Sequence, residues 1–496
     1  MRARGAVMNA AGTLGELALA RGWRHRPAFH VADTTTTHGQ VHGLAARLAG
    51  VLADRGIAVG SRVLIAGPDG AEWVALFLAI GRVGAVSILV NPALAADEQA
   101  AVVEQARPDL VVVGTPQEVF GGRRAVSTDE LGAEARRAPA TAAVPVDGSA
   151  PLYVQYSSGT TGPPKGAVHR HRDLAAHHRA VGREVLHIAA DDVSLSMSKL
   201  YFAYGFGNSL IYPLLSGSAA VLLPGRPTPQ LVEEAAARHH VTVLHGVPSG
   251  LANLVAEAGA AAFEHVRVAV SAGEGLPSLI GRRTSELVGA PVLDELGSTE
   301  VGGAFCSNRV DDNVEGTVGR PLAGFQIVVR NRTGRSLDDG VEGRLRVRGP
   351  TLPVEYLDRP DATADAMSDG WLVTNDTGYR RADGRFVHTG RADDVELVGG
   401  VNVAPSEVEA VLARHAAVRE VAVAAVPNAR GATKLRAYVV ATGADHDAGT
   451  LEAELIALAG DRLTATKVPR TVSEVDALPR TASGKLRRHV VRTGRW

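Results

Sequence analysis

The segment Tyr156-Ser-Ser-Gly-Thr-Thr-Gly-Pro-Pro-Lys-Gly166 is the most informative part of this sequence. Its small residues allow backbone N–H groups and hydroxyls to surround a polyanion, and Lys165 can add a mobile positive charge. The apolar residues 152–155 directly before it predict a strand. The order indicates a phosphate-binding loop that begins where a strand ends.

This loop differs from the phosphate loop of ordinary NTPases. That motif requires Gly-x-x-x-x-Gly-Lys-Ser/Thr running into a helix. Here Gly166 follows Lys165, and Pro163 and Pro164 hinder an immediate helix start. The sequence therefore predicts a phosphate-binding loop of another kind.

Helical and strand patterns alternate on both sides of the loop. Helical spacing occurs at residues 41–55 and 73–81, and short apolar runs that predict strands occur at 62–67, 85–90, 109–114, 219–223, 241–245, 266–270 and 292–295. Such alternation predicts an α/β fold with parallel sheets covered by helices.

The pattern changes from about residue 316 onward. Residues 325–330 and 343–348 alternate between apolar and polar and are separated by Gly and Asp turns, which predicts antiparallel strands of a small β-barrel. A final α+β unit is predicted from helices at 405–414 and 451–463 and strands at 418–426 and 434–441.

These patterns predict a large N-terminal domain of residues 1–390 and a small C-terminal domain of residues 395–496, with the boundary between them at residues 391–394.

Composition excludes several functional classes. The formal net charge of the 496-residue chain is -1, so neither nucleic acid nor an anionic membrane is an expected partner. The single cysteine, Cys306, excludes an intrachain disulfide and a multi-cysteine zinc site, and we expect a buried free thiol.

No membrane span or signal segment is expected. The apolar residues 71–90 are interrupted by Glu72 and Arg82, which predicts a buried helix and strand, and residues 1–22 lack a clean apolar signal segment. The sequence therefore predicts a cytoplasmic protein.

Lysine is rare in this arginine-rich chain, with Lys165, Lys199, Lys434, Lys467 and Lys485 as its members. A planar guanidinium cannot always replace a compact ammonium, so a lysine that persists in such a chain is a candidate for chemistry.

Five motifs in a fixed order resemble those of the adenylate-forming superfamily, which includes acyl- and aryl-CoA synthetases, adenylation domains and luciferases. Besides the loop, the matching segments are Leu296-Gly-Ser-Thr-Glu300, Thr374-Asn-Asp-Thr-Gly378, Thr389-Gly-Arg-Ala-Asp-Asp394 and Pro479-Arg-Thr-Ala-Ser-Gly-Lys485. The resemblance extends over nearly the whole chain, and it implies a mobile C-terminal domain.

The resemblance also implies residue roles. Lys485, Glu300 and Thr161 would be catalytic, with Glu300 holding Mg²⁺, and Asp376 and Arg391 would contact the ribose of ATP. The full set expected to bind ATP is Ser157, Ser158, Gly159, Thr160, Thr161, Gly162, Lys165, Glu274, Glu295, Leu296, Gly297, Ser298, Thr299, Asp376 and Arg391.

The chemistry explains why such residues are needed. A carboxylate attacks the α-phosphorus of ATP and gives an acyl-AMP, while negative charge builds on the α-phosphoryl oxygens and on the departing pyrophosphate. Lys485 suits the α-phosphate as a point charge on a long stem, and Glu300 suits a phosphate-bridging Mg²⁺.

A second pose is implied for the thioester-forming step. Asp393 matches the hinge position about which the C-terminal domain of the family swings. Gly399 and Gly400 would then face the site and admit a thin pantetheine arm.

Residues 199–208 and 224–229 resemble the benzoate-CoA ligase branch. In that branch the residues matching Ala203 and Tyr204 line a flat aryl pocket, with Gly273 and Leu296 as further walls and His245 at the border. Glu295 would lie beside this pocket and would need a polar partner. We therefore expect an amino- or hydroxy-substituted benzoate or cinnamate as substrate.

The expected activity is ATP-dependent formation of an aryl-AMP and transfer of the acyl group to CoA. Alternatives are transfer to the phosphopantetheine of a carrier protein, activation of another oxyacid such as nitrite, and an inactive nucleotide-binding scaffold. Intact Lys165, Glu300, Asp376, Arg391 and Lys485 argue against the scaffold. Homodimers are common in the superfamily, so a homodimer is also compatible.

The histidine-rich stretch after the loop contains residue types that can bind a metal ion. His169, His171, His177 and His178 lie close together in sequence, but a solvated helix is the expected structure.

Overall fold

A computed structural model describes residues 8–114, 119–157, 164–352, 355–394, 396–398, 401–427, 433–442, 448–481 and 486–496. Several predicted site residues lie outside these ranges, namely Ser158, Gly159, Thr160, Thr161, Gly162, Gly399, Gly400 and Lys485. Their predicted roles stay predictions, as does that of the Ser157 side chain.

The first part of the chain alternates helices and strands up to the end of the phosphate-loop region. Its elements are α1 (Ala10–Ala20), β1 (Pro27–Val31), β2 (Thr34–Thr37), α2 (His38–Asp54), β3 (Arg62–Ala66), α3 (Ala71–Arg82), β4 (Val86–Leu89), α4 (Ala96–Ala106), β5 (Leu110–Val113), β6 (Val119–Phe120), β7 (Arg123–Arg124), β8 (Val126–Ser127), α5 (Thr128–Ala135), β9 (Pro151–Ser157) and β10 (Lys165–Arg170).

The next part continues this alternation. Its elements are α6 (Asp173–His177), β11 (Val193–Ser196), α7 (Ala203–Phe206), α8 (Tyr212–Ser216), β12 (Ala219–Val221), α9 (Pro229–His239), β13 (Val243–Gly246), α10 (Pro248–Glu257), β14 (Val268–Ala272), α11 (Ser278–Val288), β15 (Val292–Ser298), β16 (Gly303–Ser307) and β17 (Arg320–Pro321).

These elements form two β/α sheets. The larger follows the order β17-β16-β15-β14-β13-β11-β12-β1-β2, and its central pairs from β15 to β1 are parallel. The smaller follows β10-β9-β4-β3-β5-β8 and is parallel except for β9 and β10. Helix α3 is buried in the main hydrophobic core of the N-terminal domain, which confirms the prediction of a buried helix at residues 73–81.

An antiparallel sheet follows, composed of β18 (Gln326–Arg330), β19 (Gly343–Arg348), β20 (Met367–Ser368), β21 (Trp371–Arg380) and β22 (Phe386–Arg391), with helix α12 (Pro360–Ala366) before β20. This curled sheet is the predicted small barrel, seen as a half-barrel. Its last hairpin pairs Asp376 with Arg391.

The C-terminal domain has its own core and its own elements. They are β23 (Glu396–Val398), β24 (Val401–Val403), α13 (Pro405–Leu412), β25 (Val418–Pro427), β26 (Thr433–Ala441), α14 (Ala448–Arg462), β27 (Thr471–Glu474) and α15 (Arg488–Thr493). The predicted separate α+β unit is therefore confirmed.

The predicted solvated helix at the histidine-rich stretch is wrong. His169 lies on strand β10, and His169, His171 and His177 are buried at 1%, 1% and 2% exposure. His169 is buried on β10, His171 packs against the start of α1, and His177 is buried at the end of α6, and the sequence gives no sign of these locations. Within the described ranges, no group of three or more metal-ligating side chains is found.

Two further expectations can be compared with the structure. Cys306 is a buried free thiol, as predicted. None of the helices in the described part of the chain is long and apolar enough to cross a lipid bilayer.

Candidate active site

The carboxyl ends of three adjacent parallel strands bring the predicted aryl-pocket residues together. His245 lies on β13, Gly273 directly follows β14, and Glu295 lies on β15, where it is in register with Ala272. Ligands of open α/β sheets bind at this edge of the sheet because all the parallel strands end there. Gly273 has φ +91°, a left-handed conformation that lets the chain turn away from β14 at once.

Tyr204 packs against these residues from the neighbouring helix α7, which Ala203 begins. Its hydroxyl donates a 2.9 Å hydrogen bond to the Val270 carbonyl, and its ring meets the His245 ring edge-on at 5.8 Å. Burial lowers the pKa of His245 to about 3, so this imidazole is neutral. The predicted aryl pocket would thus have two uncharged aromatic side chains, Tyr204 and His245, in its lining.

Glu295 is the unusual group in this pocket. Its side chain is buried at 5% exposure, and burial raises its pKa to about 8. An ionised Glu295 would raise the pKa of the neighbouring Tyr204 and Tyr212 hydroxyls. Its Oε2 atom has no hydrogen-bond partner among the described residues. A neutral carboxyl can both donate and accept a hydrogen bond, so a ligand group could satisfy it.

Residues on strand β15 face opposite sides in alternation. Asp294 and Val292 face a cavity of about 250 Å³ that helix α11 and the loop at residues 313–317 also line. Leu296 shares the Asp294 side by the same alternation, whereas Glu295 faces the other side. Asp294 therefore lines a cavity on the face of β15 opposite Glu295, and it is a candidate ligand-binding residue that the sequence motifs did not reveal.

Glu300 lies just past β15 and is held by a tyrosine from a distant segment. The Tyr356 hydroxyl donates a 2.8 Å hydrogen bond to Glu300 Oε1, and Lys165 Nζ lies 5.7 Å from the centre of the Tyr356 ring. Two of the predicted ATP-handling residues therefore meet at Tyr356. This tyrosine was missed because it belongs to none of the five motifs.

The Glu300 carboxylate is suited to a magnesium ion. Mg²⁺ usually takes one or two protein carboxylates and fills its other positions with water and substrate phosphates. One half-buried carboxylate, linked through Tyr356 to Lys165, meets that requirement, and its Oε2 atom has no described hydrogen bond to a protein group. Glu300 would hold the ion, and the ion would neutralise the phosphate charge.

Asp376 and Arg391 are neighbours, as their predicted shared contact with ribose requires. They are paired across β21 and β22, and Asp376 is buried at 8% exposure. Arg391 also donates to Asp393 with its Nε at 3.0 Å and its Nη2 at 3.2 Å. The predicted hinge residue Asp393 is thus in direct contact with Arg391, a residue predicted to bind the nucleotide.

The C-terminal domain approaches the site at Glu274. Glu274 Oε1 lies 3.5 Å from Arg480 Nη1 and accepts a 3.3 Å hydrogen bond from the backbone of Leu486. Arg480 also donates to Glu420 of its own domain at 2.6 Å. The described residues on both sides of residues 482–485 therefore lie against the site, although Lys485 itself is outside the described ranges.

Residues 18–357 match the family of AMP-binding enzymes, and residues 407–485 match the C-terminal domain of AMP-binding enzymes. The chain belongs to the AMP-binding enzyme family. This family is the adenylate-forming superfamily that the five motifs resemble, so the protein is an adenylate-forming ligase.

The protein is similar to characterised AMP-binding enzymes. The p-hydroxybenzoic acid–AMP ligase FadD22 of Mycobacterium tuberculosis is 42% identical over 486 residues, which cover 98% of this chain and 68% of that protein. Benzoate–CoA ligase of Thauera aromatica is 35% identical, with 88% of this chain and 86% of that protein covered.

The fold of this AMP-binding enzyme also matches a solved structure. A benzoate CoA ligase from Burkholderia xenovorans LB400 superposes with a TM-score of 0.90 at 31% identity, covering 98% of this chain and 100% of the other. The resemblance to the benzoate-CoA ligase branch is therefore confirmed.

Proposed function

We propose that this enzyme activates a hydroxy- or amino-substituted benzoate with ATP to give an aryl-AMP, and passes the acyl group to the phosphopantetheine thiol of a carrier protein. The observation that carries the proposal is the buried Glu295 carboxyl, whose Oε2 atom has no hydrogen-bond partner among the described residues. The similarity to a p-hydroxybenzoic acid–AMP ligase over 98% of the chain supports it.

The protonation state of Glu295 explains how it can serve an anionic substrate. A charged carboxylate in the pocket would repel the incoming benzoate, but a pKa of about 8 keeps Glu295 neutral at pH 7. A phenol or aniline on the ring can then exchange hydrogen bonds with it. An unsubstituted ring would leave the carboxyl buried without a partner, which costs about 1–3 kcal/mol.

The proposed reaction has two chemical steps. The substrate carboxylate forms a bond to the α-phosphorus as pyrophosphate leaves. The carrier thiol then loses its proton and attacks the acyl carbon, and AMP leaves. We assign the Leu296 and Asp294 side to the nucleotide, with Asp376 and Arg391 on the ribose and Lys485 at the reacting carboxylate.

CoA is the second candidate acceptor. It is favoured by the 35% identity to a benzoate–CoA ligase and by the solved benzoate CoA ligase with a TM-score of 0.90. The higher identity to the AMP ligase leads us to rank the carrier protein first.

Pyrophosphate release tests the proposal directly. The enzyme would be incubated with ATP, Mg²⁺ and a panel of benzoates and cinnamates, with no acceptor, with CoA, or with a phosphopantetheinylated carrier protein. We expect release with hydroxy- or aminobenzoates and acylation of the carrier. An aryl-CoA product would establish the second candidate, and silence with every acid but release with nitrite would overturn both.

A further inference from the structure

Two buried histidines lie on either side of the Glu300 backbone. His169 on β10 places its Nε2 atom 2.9 Å from the Thr299 carbonyl oxygen. His177, the last residue of α6, packs against the backbone that follows Glu300, where a Cβ atom on Gly303 would lie 3.3 Å from its Nδ1 atom. The backbone on each side of Glu300 is therefore in contact with an imidazole.

Both imidazoles are neutral and rigidly held. Burial, followed by the nearby His177, lowers the pKa of His169 to about 3, and burial lowers the pKa of His177 to about 4. Since a carbonyl can only accept, His169 Nε2 is the donor to Thr299. The His169 ring also stacks on Tyr153 with centres 4.7 Å apart, so its position is fixed from a second direction.

Gly302 shows how closely the backbone approaches the two rings. It has φ +85°, and a Cβ atom there would lie 2.7 Å from His177 Nε2 and 2.9 Å from His169 Cε1. These distances are below any normal Cβ contact. The rings therefore determine the path of the chain directly after Glu300.

Strand β10, which carries His169, is also connected to the Glu300 side chain. Strand β10 begins at Lys165, which lies over the ring of Tyr356, and Tyr356 bonds the Glu300 carboxylate. The side chain of Glu300 is thus oriented from one end of β10 and its backbone from the other. Strand β10 is therefore connected to both the backbone and the side chain of Glu300.

Packing alone does not account for these side chains. His169 Nδ1 and His177 Nε2 are buried without a partner among the described residues, which costs free energy that an apolar ring would not. An apolar ring, however, could not donate to the Thr299 carbonyl. We propose that His169 and His177 are positioning residues that set the Glu300 backbone and thereby the affinity for ATP with Mg²⁺. The proposal rests on the proposed function only in requiring that the chain binds this nucleotide.

Titration calorimetry of ATP against the full-length chain, with Mg²⁺ and with EDTA, tests this inference. In His169→Phe and His177→Phe we expect the gain in ATP affinity that Mg²⁺ provides to fall about tenfold, with binding in EDTA unchanged. His169→Gln, whose amide can still donate to Thr299, should recover most of that gain.

His171→Phe is the matched control. His171 is buried to the same extent, but its Nδ1 accepts a 3.1 Å hydrogen bond from the backbone of Ala10, far from Glu300. We expect this variant to lower the melting temperature without changing the Mg²⁺ dependence. If the phenylalanine variants do not fold, His169→Gln and His177→Asn are compared with His171→Asn in the same assay.

Two results would overturn the inference: equal weakening of ATP binding with Mg²⁺ and with EDTA, or the same loss of Mg²⁺ dependence in the His171 variants. The proposed function fails separately. A wild-type chain that binds ATP with Mg²⁺ normally but adenylates no aromatic acid contradicts the proposed function and leaves the histidine inference standing.

Discussion

The aryl pocket and the seam between the two domains are held by opposite kinds of interaction. The pocket is lined by buried neutral groups, with Tyr204 bonded to a backbone carbonyl and Glu295 left without a described partner at Oε2. At the seam, the Arg480–Glu274 and Arg391–Asp393 pairs are partly exposed, with side-chain exposures between 22% and 45%. Buried neutral contacts suit substrate selectivity, which needs a rigid surface without water. Partly exposed ion pairs suit domain movement, because water can replace these contacts when they break.

Arg488 shows where the movable part begins. It pairs with both oxygens of Glu409 at 2.8 Å and with Asp394 at 3.1 Å, so residue 394 is tied to the C-terminal domain. The side chain of Asp393, one residue earlier, is bonded to Arg391 and Asn375 of the N-terminal domain, while its carbonyl accepts a 3.3 Å hydrogen bond from Arg492 of the C-terminal domain. Residue 393 is therefore bonded to both domains, which supports the predicted hinge at Asp393; the hinge stays a proposal.

The largest expected effect concerns Lys485, the predicted catalytic residue of the C-terminal domain. Lys485→Ala should lower the rate of aryl-AMP formation about 10³-fold, because a cation at the developing phosphoryl charge is removed. Thioester formation from supplied aryl-AMP should be nearly unchanged. Rapid-quench assays of each half-reaction measure this.

Lys467→Ala is the control for that experiment, since Lys467 pairs with Glu407 within the C-terminal domain at 2.7 Å and 2.6 Å. It should retain both half-reactions. An unchanged adenylation rate in Lys485→Ala would remove the residue from its assigned role.

The next effect concerns the buried charge of the pocket. The pKa of Glu295 rises from an ordinary 4.5 in the unfolded chain to about 8 in the folded one. Between those values the folded state keeps a proton that the unfolded state has released. The free energy of unfolding should therefore fall as pH rises through this window, by about 1.4 kcal/mol per pH unit from this group.

Urea denaturation of the wild type and of Glu295→Gln between pH 5 and pH 8 measures that contribution. The glutamine variant cannot ionise, so its curve should fall less steeply. Parallel curves for the two proteins would mean that Glu295 ionises as easily in the folded chain as in the unfolded one.

A smaller effect tests the selectivity of the pocket. In Glu295→Leu, the ratio of kcat/KM for 4-hydroxybenzoate over benzoate should fall about tenfold, because the partner of the ring substituent is lost. Steady-state pyrophosphate release with both acids gives the ratio. Asp294→Asn changes the neighbouring carboxyl on the opposite face of β15 and should preserve the ratio. A preference for 4-hydroxybenzoate that survives in Glu295→Leu would contradict the proposed contact.

The smallest expected effect belongs to the exposed seam. Arg480→Gln removes the ion pair with Glu274, whose side chains are 27% and 22% exposed, together with the Arg480–Glu420 pair inside the C-terminal domain. Partly exposed pairs contribute about 0.2–1 kcal/mol each. Adenylation should slow about threefold, and raised salt should reduce the difference from the wild type. A loss comparable to that of Lys485→Ala would show that the seam is as rigid as the pocket.

Much of the fold was predictable because burial imposes a repeating pattern on the sequence. The strand predicted at residues 343–348 is β19 (Gly343–Arg348), and the helix predicted at 451–463 is α14 (Ala448–Arg462). The prediction for the histidine-rich stretch was wrong because it relied on polarity alone. Polar residue types indicated exposure to solvent, whereas β10 pairs with β9 and His169 is buried.

The five ordered motifs by themselves determined the family and the predicted ATP-handling residues, because these depend on residue types at short spacing. The position of Glu295 beside an aryl pocket stays a prediction from the resemblance to the benzoate-CoA ligase branch. The tertiary structure decided what lies between the motifs: that Tyr356 holds Glu300, that His169 and His177 support its backbone, and that β15 separates Asp294 from Glu295. These contacts join residues far apart in the chain, and only the packing of strands and helices brings such residues together.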